Sequence, residues 1–260
     1  MARFCALYSG SSGNSLYVAS GGAALLVDAG VSCKALLTAL HQRELDVSSL
    51  AGILVTHEHI DHVRGLAVLL KRLTLPVYGS RGTLAAIEEK LPPSAQLHVL
   101  EGPAEIGGME VAPFSTPHDA AEPMGFRIHT ADGRTVGVAT DLGHVTDQVD
   151  RALSGCDLVA LEANYDPEML RCGPYPYSLK RRIFSWDGHL SNSDCAAQAL
   201  RLVQSGTTRL ILGHLSKENN LPGLARETVQ GTLEQEGCVN GVDFTLQVAR
   251  RSEASPVVVF

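Results

Sequence analysis

The sequence predicts an α/β protein built as a four-layer αβ/βα sandwich. Short apolar runs typical of strands alternate with helix-period segments at both ends of the chain, and a strand-rich stretch from residue 97 to residue 141 lies between them. The chain has 260 residues and 45% hydrophobic composition, which is ample for a sizeable core. Two halves, each a sheet faced by helices, would make the four layers. We expect residues 1–260 to form a single domain.

The elements of the first half follow from apolar patterning and turn residues. Strands over residues 4–7 and 16–18 flank the Gly/Ser-rich string 10–15, for which a tight turn is favoured over a phosphate cradle. Strands and a hairpin extend to about Asp28. We then expect a helix over 34–43, a strand over 51–55 and a helix over 63–73, followed by shorter elements to Lys90.

In the second half, strands dominate from residue 97 to Asp141, with a turn at Asp132-Gly133. Helix, strand and helix patterns then return. The loops from both sheets should meet at one edge of the sandwich.

One segment, residues 57–62, concentrates metal-binding side chains directly after the predicted strand 51–55. Successive side chains of an extended chain alternate between faces, so His57 and His59 point the same way and Glu58 points away. If the chain then turns into a helix, Asp61 and His62 face a second position nearby. Imidazole and carboxylate bind borderline divalent ions such as zinc. Four such groups suit two metal ions better than one.

Three further candidates each follow a strand-like run. These candidates are His118 after 109–117, Asp141 after 135–140 and His214 after 209–213. Two metal ions roughly 3.5 to 4 Å apart can share a bridging hydroxide and stabilise both the attacking and the leaving oxygen. The pattern therefore predicts a hydrolase.

This order of motifs resembles the metallo-β-lactamase superfamily over nearly the whole chain. The resemblance implies two divalent ions, Zn²⁺ or Mn²⁺, at two sites bridged by Asp141. One site would comprise His57, His59 and His118, and the other Asp61, His62 and His214. Asp141 stands where the β-lactamases themselves carry a cysteine ligand, which disfavours a lactamase. The fold alone names no substrate, because the superfamily cleaves lactams, thioesters and phosphodiesters.

Three strings narrow the resemblance: residues 10–15, 188–192 and 213–220. Together they are similar to the YycJ/WalJ group, regarded as 5′-to-3′ DNA exonucleases. The string 188–192 also looks like a motif of RNase Z-type phosphodiesterases, which implies that His189 is a general acid and not a metal ligand. The alternative is that this segment only caps the following helix. The chain shows no long insertion like the tRNA-gripping arm of RNase Z, and too few residues lie between Asp141 and His214 for a β-CASP domain.

The implied reaction is attack by a metal-bridging hydroxide on a phosphodiester. Asp61 would orient the hydroxide as well as bind metal, and His189 would aid departure of the sugar oxygen. Glu162 ends an apolar run, and two interpretations stay open for it: it orients a ligand imidazole or His189, or it is an ordinary strand-end acid. The remaining histidines carry no such pattern, although His144 lies close after Asp141.

Basic and polar residues near these motifs are candidate substrate contacts. The run 175–186 interleaves basic residues with aromatic residues, which can neutralise phosphates and stack unpaired bases. A solvated basic helix face explains the run almost as well. The candidates are Lys180, Arg181, Arg182, Ser191, Lys217, Asn219 and Asn220.

Charge gives a mixed indication about the substrate. The formal net charge is −7, from 21 Lys and Arg against 28 Asp and Glu, whereas nonspecific DNA binding normally needs a basic face. Two bound dications would change the local balance. The leading prediction is a metal-dependent DNA exonuclease, with DNA favoured over RNA. The alternatives are a hydrolase of a small ester, thioester or cyclic phosphodiester, and a noncatalytic metal-stabilised binding module.

Cysteine usage bears on the compartment. The six cysteines form no CxxC pair, and the sequence has no signal peptide or long apolar span. We therefore expect reduced thiols in a cytoplasmic protein without membrane contact. The oligomeric state is not predictable from the sequence.

Overall fold

Two seven-stranded sheets form the framework of the protein, and a computed structural model describes all of residues 1–260. The first sheet contains β1 (Arg3–Tyr8), β2 (Ser15–Ser20), β3 (Ala23–Val27), β4 (Leu50–Leu54), β5 (Pro76–Gly79), β6 (Gln96–Val99) and the terminal strand β14 (Val258–Val259). Its spatial order is β14-β1-β2-β3-β4-β5-β6. Pairing is antiparallel from β14 to β3 and parallel from β3 to β6.

The second sheet repeats this division between antiparallel and parallel strands. It contains β7 (Ala104–Ile106), β8 (Met109–Ser115), β9 (Met124–His129), β10 (Thr135–Ala139), β11 (Leu158–Glu162), β12 (Arg209–Gly213) and β13 (Thr245–Val248). The strands β7 to β10 pair in antiparallel fashion, and β10 to β13 pair in parallel. The predicted turn at Asp132-Gly133 is confirmed, since it connects β9 to β10 and Gly133 has a φ of 81°.

Nine α-helices flank the sheets. They are α1 (Cys33–Gln42), α2 (Ile60–Val63), α3 (Leu66–Leu70), α4 (Arg81–Ile87), α5 (Asp147–Leu153), α6 (Pro167–Cys172), α7 (Tyr177–Ile183), α8 (Asn192–Gln204) and α9 (Pro222–Gln235). Two short 3₁₀ helices, Val47–Ser49 and Glu88–Lys90, complete the set. None of the helices combines the length and apolar character needed to cross a membrane.

Alternation along the strands sorts apolar side chains into separate core layers. In β1, Phe4 and Ala6 pack between the two sheets, whereas Cys5 and Leu7 pack under the helices outside the first sheet. A third cluster, which includes Leu212, lies between the second sheet and its outer helices. Three apolar layers between four structural layers confirm the predicted αβ/βα sandwich.

The predicted helix over 63–73 is wrong in detail, because the chain forms two short helices there, α2 and α3. The break falls at Gly65, whose N–H donates to the carbonyl oxygen of Ala29 at 2.8 Å. A Cβ atom on Gly65 would lie 2.0 Å from the carbonyl oxygen of Val31, so the close approach requires glycine. Because α2 begins at Ile60, Asp61 and His62 lie on a helical turn beside β4.

Candidate metal centre and active-site cleft

The seven predicted ligands meet at one edge of the sandwich. They lie on the segments that follow β4, β8, β10 and β12, as the sequence predicts. Asp141 and His214 adopt positive φ angles of 56° and 54°. Non-glycine residues rarely adopt this left-handed conformation, and such strain concentrates at functional sites.

His57, His59 and His118 form the first group. Their potential ligand atoms all lie within 4.8 Å of one another. The Nδ1 atom of His59 lies 3.3 Å from the Nε2 atom of His118. Two nitrogen ligands of a tetrahedral zinc ion would be roughly 3.4 Å apart, so this spacing fits a shared ion.

Asp61, His62 and His214 form the second group, within the same 4.8 Å limit. The Oδ2 atom of Asp61 lies 3.4 Å from the Nε2 atom of His214. Asp141 reaches both groups, since its Oδ2 atom lies 3.1 Å from His62 Nε2 and its Oδ1 atom lies 3.7 Å from His118 Nε2. Asp141 thus lies between the two groups, and its role as a bridging ligand stays a prediction.

Contacts on the far side of the rings direct four imidazole Nε2 atoms into the centre. The Nδ1 contacts are His57 with Thr56 Oγ1 at 3.1 Å, His62 with Asp28 Oδ2 at 2.7 Å, His118 with the Gly188 carbonyl oxygen at 3.0 Å, and His214 with Glu162 Oε1 at 2.9 Å. Such contacts set the tautomer and orientation of metal-binding histidines.

Asp28 is a site residue that sequence reasoning missed. Its carboxylate accepts hydrogen bonds from the backbone N–H and the hydroxyl of Thr56, both at 2.8 Å, in addition to its contact with His62. The residue is buried and has a φ of 64°. The available signal was that Asp28 ends the apolar strand β3 in the same way that Asp141 ends the apolar run of β10.

Glu162 contacts both His189 and the candidate ligand His214. These contacts favour the interpretation of Glu162 as an orienting carboxylate over that of an ordinary strand-end acid. Its Oε1 atom lies 2.8 Å from His189 Nδ1 and 2.9 Å from His214 Nδ1. Its Oε2 atom accepts from the backbone N–H groups of Leu142 and Leu190. Burial raises the pKa of Glu162, but the histidines outweigh burial and hold that pKa below its usual value. Glu162 therefore orients both rings as a carboxylate.

The buried Nε2 atom of His57 has no hydrogen-bond partner, and the buried Oδ2 atom of Asp141 accepts no well-aligned hydrogen bond, although His62 Nε2 lies 3.1 Å away. A buried polar atom left unpaired costs about 1–3 kcal/mol, and a bound cation would satisfy both atoms. Burial and the nearby His62 ring lower the pKa of His57 far below its usual range. Burial also opposes a charge on His62, but Asp141 and Asp28 raise its pKa to about 10. The carboxylates thus favour positive charge here, which divalent ions would supply.

A cleft of about 360 Å³ opens onto this centre. It is lined by Ser11, His59, Ile60, Asp61, Asp141, Asn164, Tyr175, Leu179, Arg182, Ile183, His189, His214 and Ser216. A larger surface cavity of about 690 Å³ is lined by none of the predicted ligands, so it is not the candidate active site. Of the seven predicted substrate contacts, Arg182 alone lines the cleft at the metal centre.

The structure corrects the prediction of substrate contact for Ser191, Asn219 and Asn220. All three residues are buried. The hydroxyl of Ser191 caps α8 by accepting from the N–H of Asp194. The amide of Asn220 donates to the carbonyl oxygen of Ala163 at 2.8 Å. Nearness to His214 in the sequence did not place these amides at the mouth of the site, because the chain is exposed at Lys217 and Glu218 and buried again at Asn219 and Asn220.

The other basic candidates lie outside the cleft. Lys180 Nζ donates to the carbonyl oxygen of Arg171, and the Arg181 guanidinium lies 6.0 Å from the centre of the Tyr177 ring. Lys217 is exposed beside Glu218. Their contact with substrate stays a prediction.

Comparisons with known proteins agree with this fold and site. A family model described as a β-lactamase superfamily domain matches residues 24–215. The metallo-β-lactamase fold protein YhfI from Bacillus subtilis superimposes with a TM-score of 0.75 and 17% identity, covering 98% of each chain. The fold and the site therefore define a protein of the metallo-β-lactamase class.

Two relatives specify the family within this class. The exodeoxyribonuclease YycJ of Bacillus anthracis is 41% identical over 248 residues, which is 94% of each chain. The exodeoxyribonuclease WalJ of Streptococcus pneumoniae is 37% identical over 261 residues, covering 98% of this chain and 97% of the relative. The chain belongs to the YycJ/WalJ family of the β-lactamase superfamily.

Proposed function

We propose that this protein is a dinuclear-metal-dependent phosphodiesterase that degrades DNA as a 5′-to-3′ exonuclease. Relatives named as exodeoxyribonucleases match it over nearly their full length. The observation on the chain itself that supports the proposal most is the placement of three features in one cleft: a cluster of metal-competent residues, His189 and Arg182. Phosphodiester hydrolysis needs charge stabilisation, a proton donor and a phosphate contact, and these features correspond to the three needs.

The metal ions would be held by the two groups already described, with Asp141 between them. We propose Zn²⁺ or Mn²⁺, because imidazole suits zinc and carboxylate suits manganese. When bound, the ions would polarise the phosphoryl oxygens and lower the pKa of a water molecule toward neutrality. Asp61, which is partly exposed to the cleft, would orient the attacking water through its carboxylate.

His189 supplies the proton for the leaving group in this proposal. Its side chain is 17% exposed and lines the cleft, and its Nδ1 atom is engaged by Glu162. Nε2 is therefore the ring atom available to donate to the sugar oxygen, and the Glu162 carboxylate holds the ring in that orientation. A further group of potential ligand atoms, all within 4.8 Å of one another, comes from His189, Glu162, Asp141 and His214. However, hydrogen bonds from both rings to one Glu162 oxygen already account for that proximity.

Arg182 is the proposed phosphate contact. Its guanidinium donates to Asp119, with Nη2 3.0 Å from Oδ1, and Asp119 in turn lies 3.4 Å from His118 Nε2. A phosphate that enters the cleft would compete with the Asp119 carboxylate for Arg182, because both present paired oxygens to the guanidinium.

The six unpaired cysteines suit a reducing compartment, so we place the activity in the cytoplasm.

Digestion of end-labelled strands tests the proposal. Single-stranded DNA and RNA, each labelled at the 3′ end and carrying a free or phosphorylated 5′ end, would be digested with several divalent ions. We expect DNA to give a ladder of shortened 3′-labelled products. His189→Ala should keep its metal but lose about 10²- to 10⁴-fold in rate. His98→Ala, which changes a histidine of β6 outside the cleft, is the matched control.

Two results would contradict the proposal. If the protein hydrolyses small esters, thioesters or cyclic phosphodiesters but leaves DNA uncleaved, the small-molecule hydrolase is favoured. Unchanged DNA hydrolysis by His189→Ala would exclude the general-acid role.

A further inference from the structure

A second cleft, of about 400 Å³, is lined by aromatic side chains that the proposed reaction does not use. Trp186, the single tryptophan of the chain, is 72% exposed there, and Phe184 is 48% exposed. The indole of Trp186 lies against the imidazole of His144, with 3.7 Å between ring centres and 34° between planes. One face of the indole is thus supported by the protein while most of the side chain remains open to solvent.

The position of Trp186 is fixed by its backbone. His144 Nδ1 lies 2.9 Å from the carbonyl oxygen of Trp186, so the imidazole donates to the residue on which its ring packs. A Cβ atom on Gly143 would lie 2.1 Å from the same carbonyl oxygen. The glycine therefore permits the loop after β10 to lie directly against the segment before His189. This contact holds the aromatic pair in place.

The aromatic pair lies on the same two chain segments as the reacting groups. His144 follows Asp141 closely in the loop after β10, and Trp186 closely precedes His189. A three-residue segment spans at most roughly 10 Å, so Trp186 lies within a few nucleotides of any bond cleaved beside His189. The helix α7, which carries Lys180, Arg181 and Arg182, leads directly into this segment.

We infer that Trp186, supported by His144, is a stacking platform for an unpaired base of the DNA strand under hydrolysis. This inference rests on the proposed function. An exposed indole next to a run of basic residues matches the two requirements of single-strand binding, which are a π-face for the bases and positive charge for the backbone. The position of Trp186 between the basic helix α7 and His189 favours a substrate strand over a separate protein partner. The platform would position the strand and take no part in proton transfer.

Binding of phosphorothioate DNA to the metal-loaded protein tests this inference, since such strands resist hydrolysis. Trp186 is the only tryptophan, so all indole fluorescence reports on this position. We expect saturable quenching by single-stranded DNA. Stacking contributes about 1–3 kcal/mol per base, so Trp186→Ala should weaken binding about 5- to 150-fold. Trp186→Phe should recover most of the affinity, and His144→Ala should lose part of it.

A single abasic position moved along the strand gives a readout that a merely structural residue would not change. In the native protein one position should weaken binding more than the others, and Trp186→Ala should abolish that dependence. A phosphorothioate strand that is abasic throughout has no base to stack, so Trp186→Ala and the native protein should bind it equally. Val242→Ala removes an equally exposed apolar side chain from another surface and should change nothing.

The outcomes separate the two proposals. If the native protein hydrolyses DNA, but Trp186→Ala binds it with native affinity and the native abasic pattern, the stacking platform is wrong and the exonuclease proposal stands. Absence of quenching during tight binding would also overturn the platform. If the native protein neither binds nor hydrolyses DNA, the proposed function itself fails.

Discussion

Replacement of Asp28 by Asn tests whether the carboxylate behind His62 controls metal binding. Asp28 has a φ of 64°, a conformation that asparagine tolerates well, so the backbone should be unaffected. The carboxylate accepts from Thr56 N–H through Oδ1 at 2.8 Å and contacts His62 Nδ1 through Oδ2 at 2.7 Å. An asparagine amide has one oxygen and one nitrogen in these places. In either orientation of the amide, its NH₂ group faces one of the two groups that donate to the native carboxylate, which are Thr56 N–H and His62 Nδ1.

The magnitude follows from this mismatch. If the amide nitrogen faces His62, the ring must carry its proton on Nε2, which removes the lone pair needed for a metal. If it faces Thr56, a buried N–H is left unpaired at a cost of about 1–3 kcal/mol. Loss of a supporting carboxylate behind a metal-binding histidine typically costs 10- to 100-fold in metal affinity, which is the same range. We therefore expect Asp28→Asn to bind metal roughly 10- to 100-fold more weakly.

Competition with a chromophoric chelator would measure this affinity directly. Asp132→Asn is the matched control, because Asp132 accepts hydrogen bonds from Ser20 and Thr130 away from the site. It should bind metal like the native protein. Native metal affinity in Asp28→Asn would refute the claim that Asp28 fixes the His62 tautomer.

Three further predictions concern the proton donor, the phosphate contact and the metal. Glu162→Gln replaces the carboxylate that orients His189, so kcat on DNA should fall about 10²- to 10⁴-fold. Native activity in steady-state assays would contradict the role of Glu162. Arg182→Ala should weaken the binding of single-stranded DNA. It should also make the slope of log K against log salt less negative by about 0.7, the value for one lost phosphate contact. Arg81→Ala, which breaks the exposed pair with Glu101, should leave that slope unchanged, and equal slopes in all three proteins would exclude Arg182 as a contact. Removal of metal by a chelator should lower the midpoint temperature of thermal unfolding, because an ion at 100 times its Kd adds about 2.7 kcal/mol to the free energy of unfolding. A midpoint that does not move on chelation would mean that the folded state binds no ion.

The fold and the clustering of the candidate ligands were predictable because their signals are local in the sequence. Each ligand follows an apolar strand, and parallel strands bring their carboxyl ends to the same edge of a sheet. The alternation that buries Phe4 between the sheets and Cys5 under the helices is likewise visible in the sequence. For these reasons the sandwich was predicted correctly, and the seven ligands were expected at one edge, where the structure brings them together.

The features that were missed depend on long-range contacts. Asp28 follows β3 and contacts His62, which lies on α2 after the neighbouring strand β4, and no spacing rule links the two residues. Asn219 and Asn220 are held by residues far earlier in the chain: the carbonyl oxygen of Asn219 accepts from the N–H of Asp166, and the amide of Asn220 donates to the carbonyl oxygen of Ala163. The break at Gly65 arises from its approach to Ala29, which overrides the helical pattern of the local sequence. Tertiary contacts, and not local propensity, decide these positions.

Paired divalent ions at the His and Asp cluster should support the hydrolysis of DNA. The dependence can be measured by titrating metal-free protein with Zn²⁺ or Mn²⁺ and following the hydrolysis of 3′-labelled single-stranded DNA. We expect no hydrolysis without metal and a plateau at two equivalents of ion per chain. A plateau at one equivalent, or DNA hydrolysis that persists in the metal-free protein, would contradict this expectation.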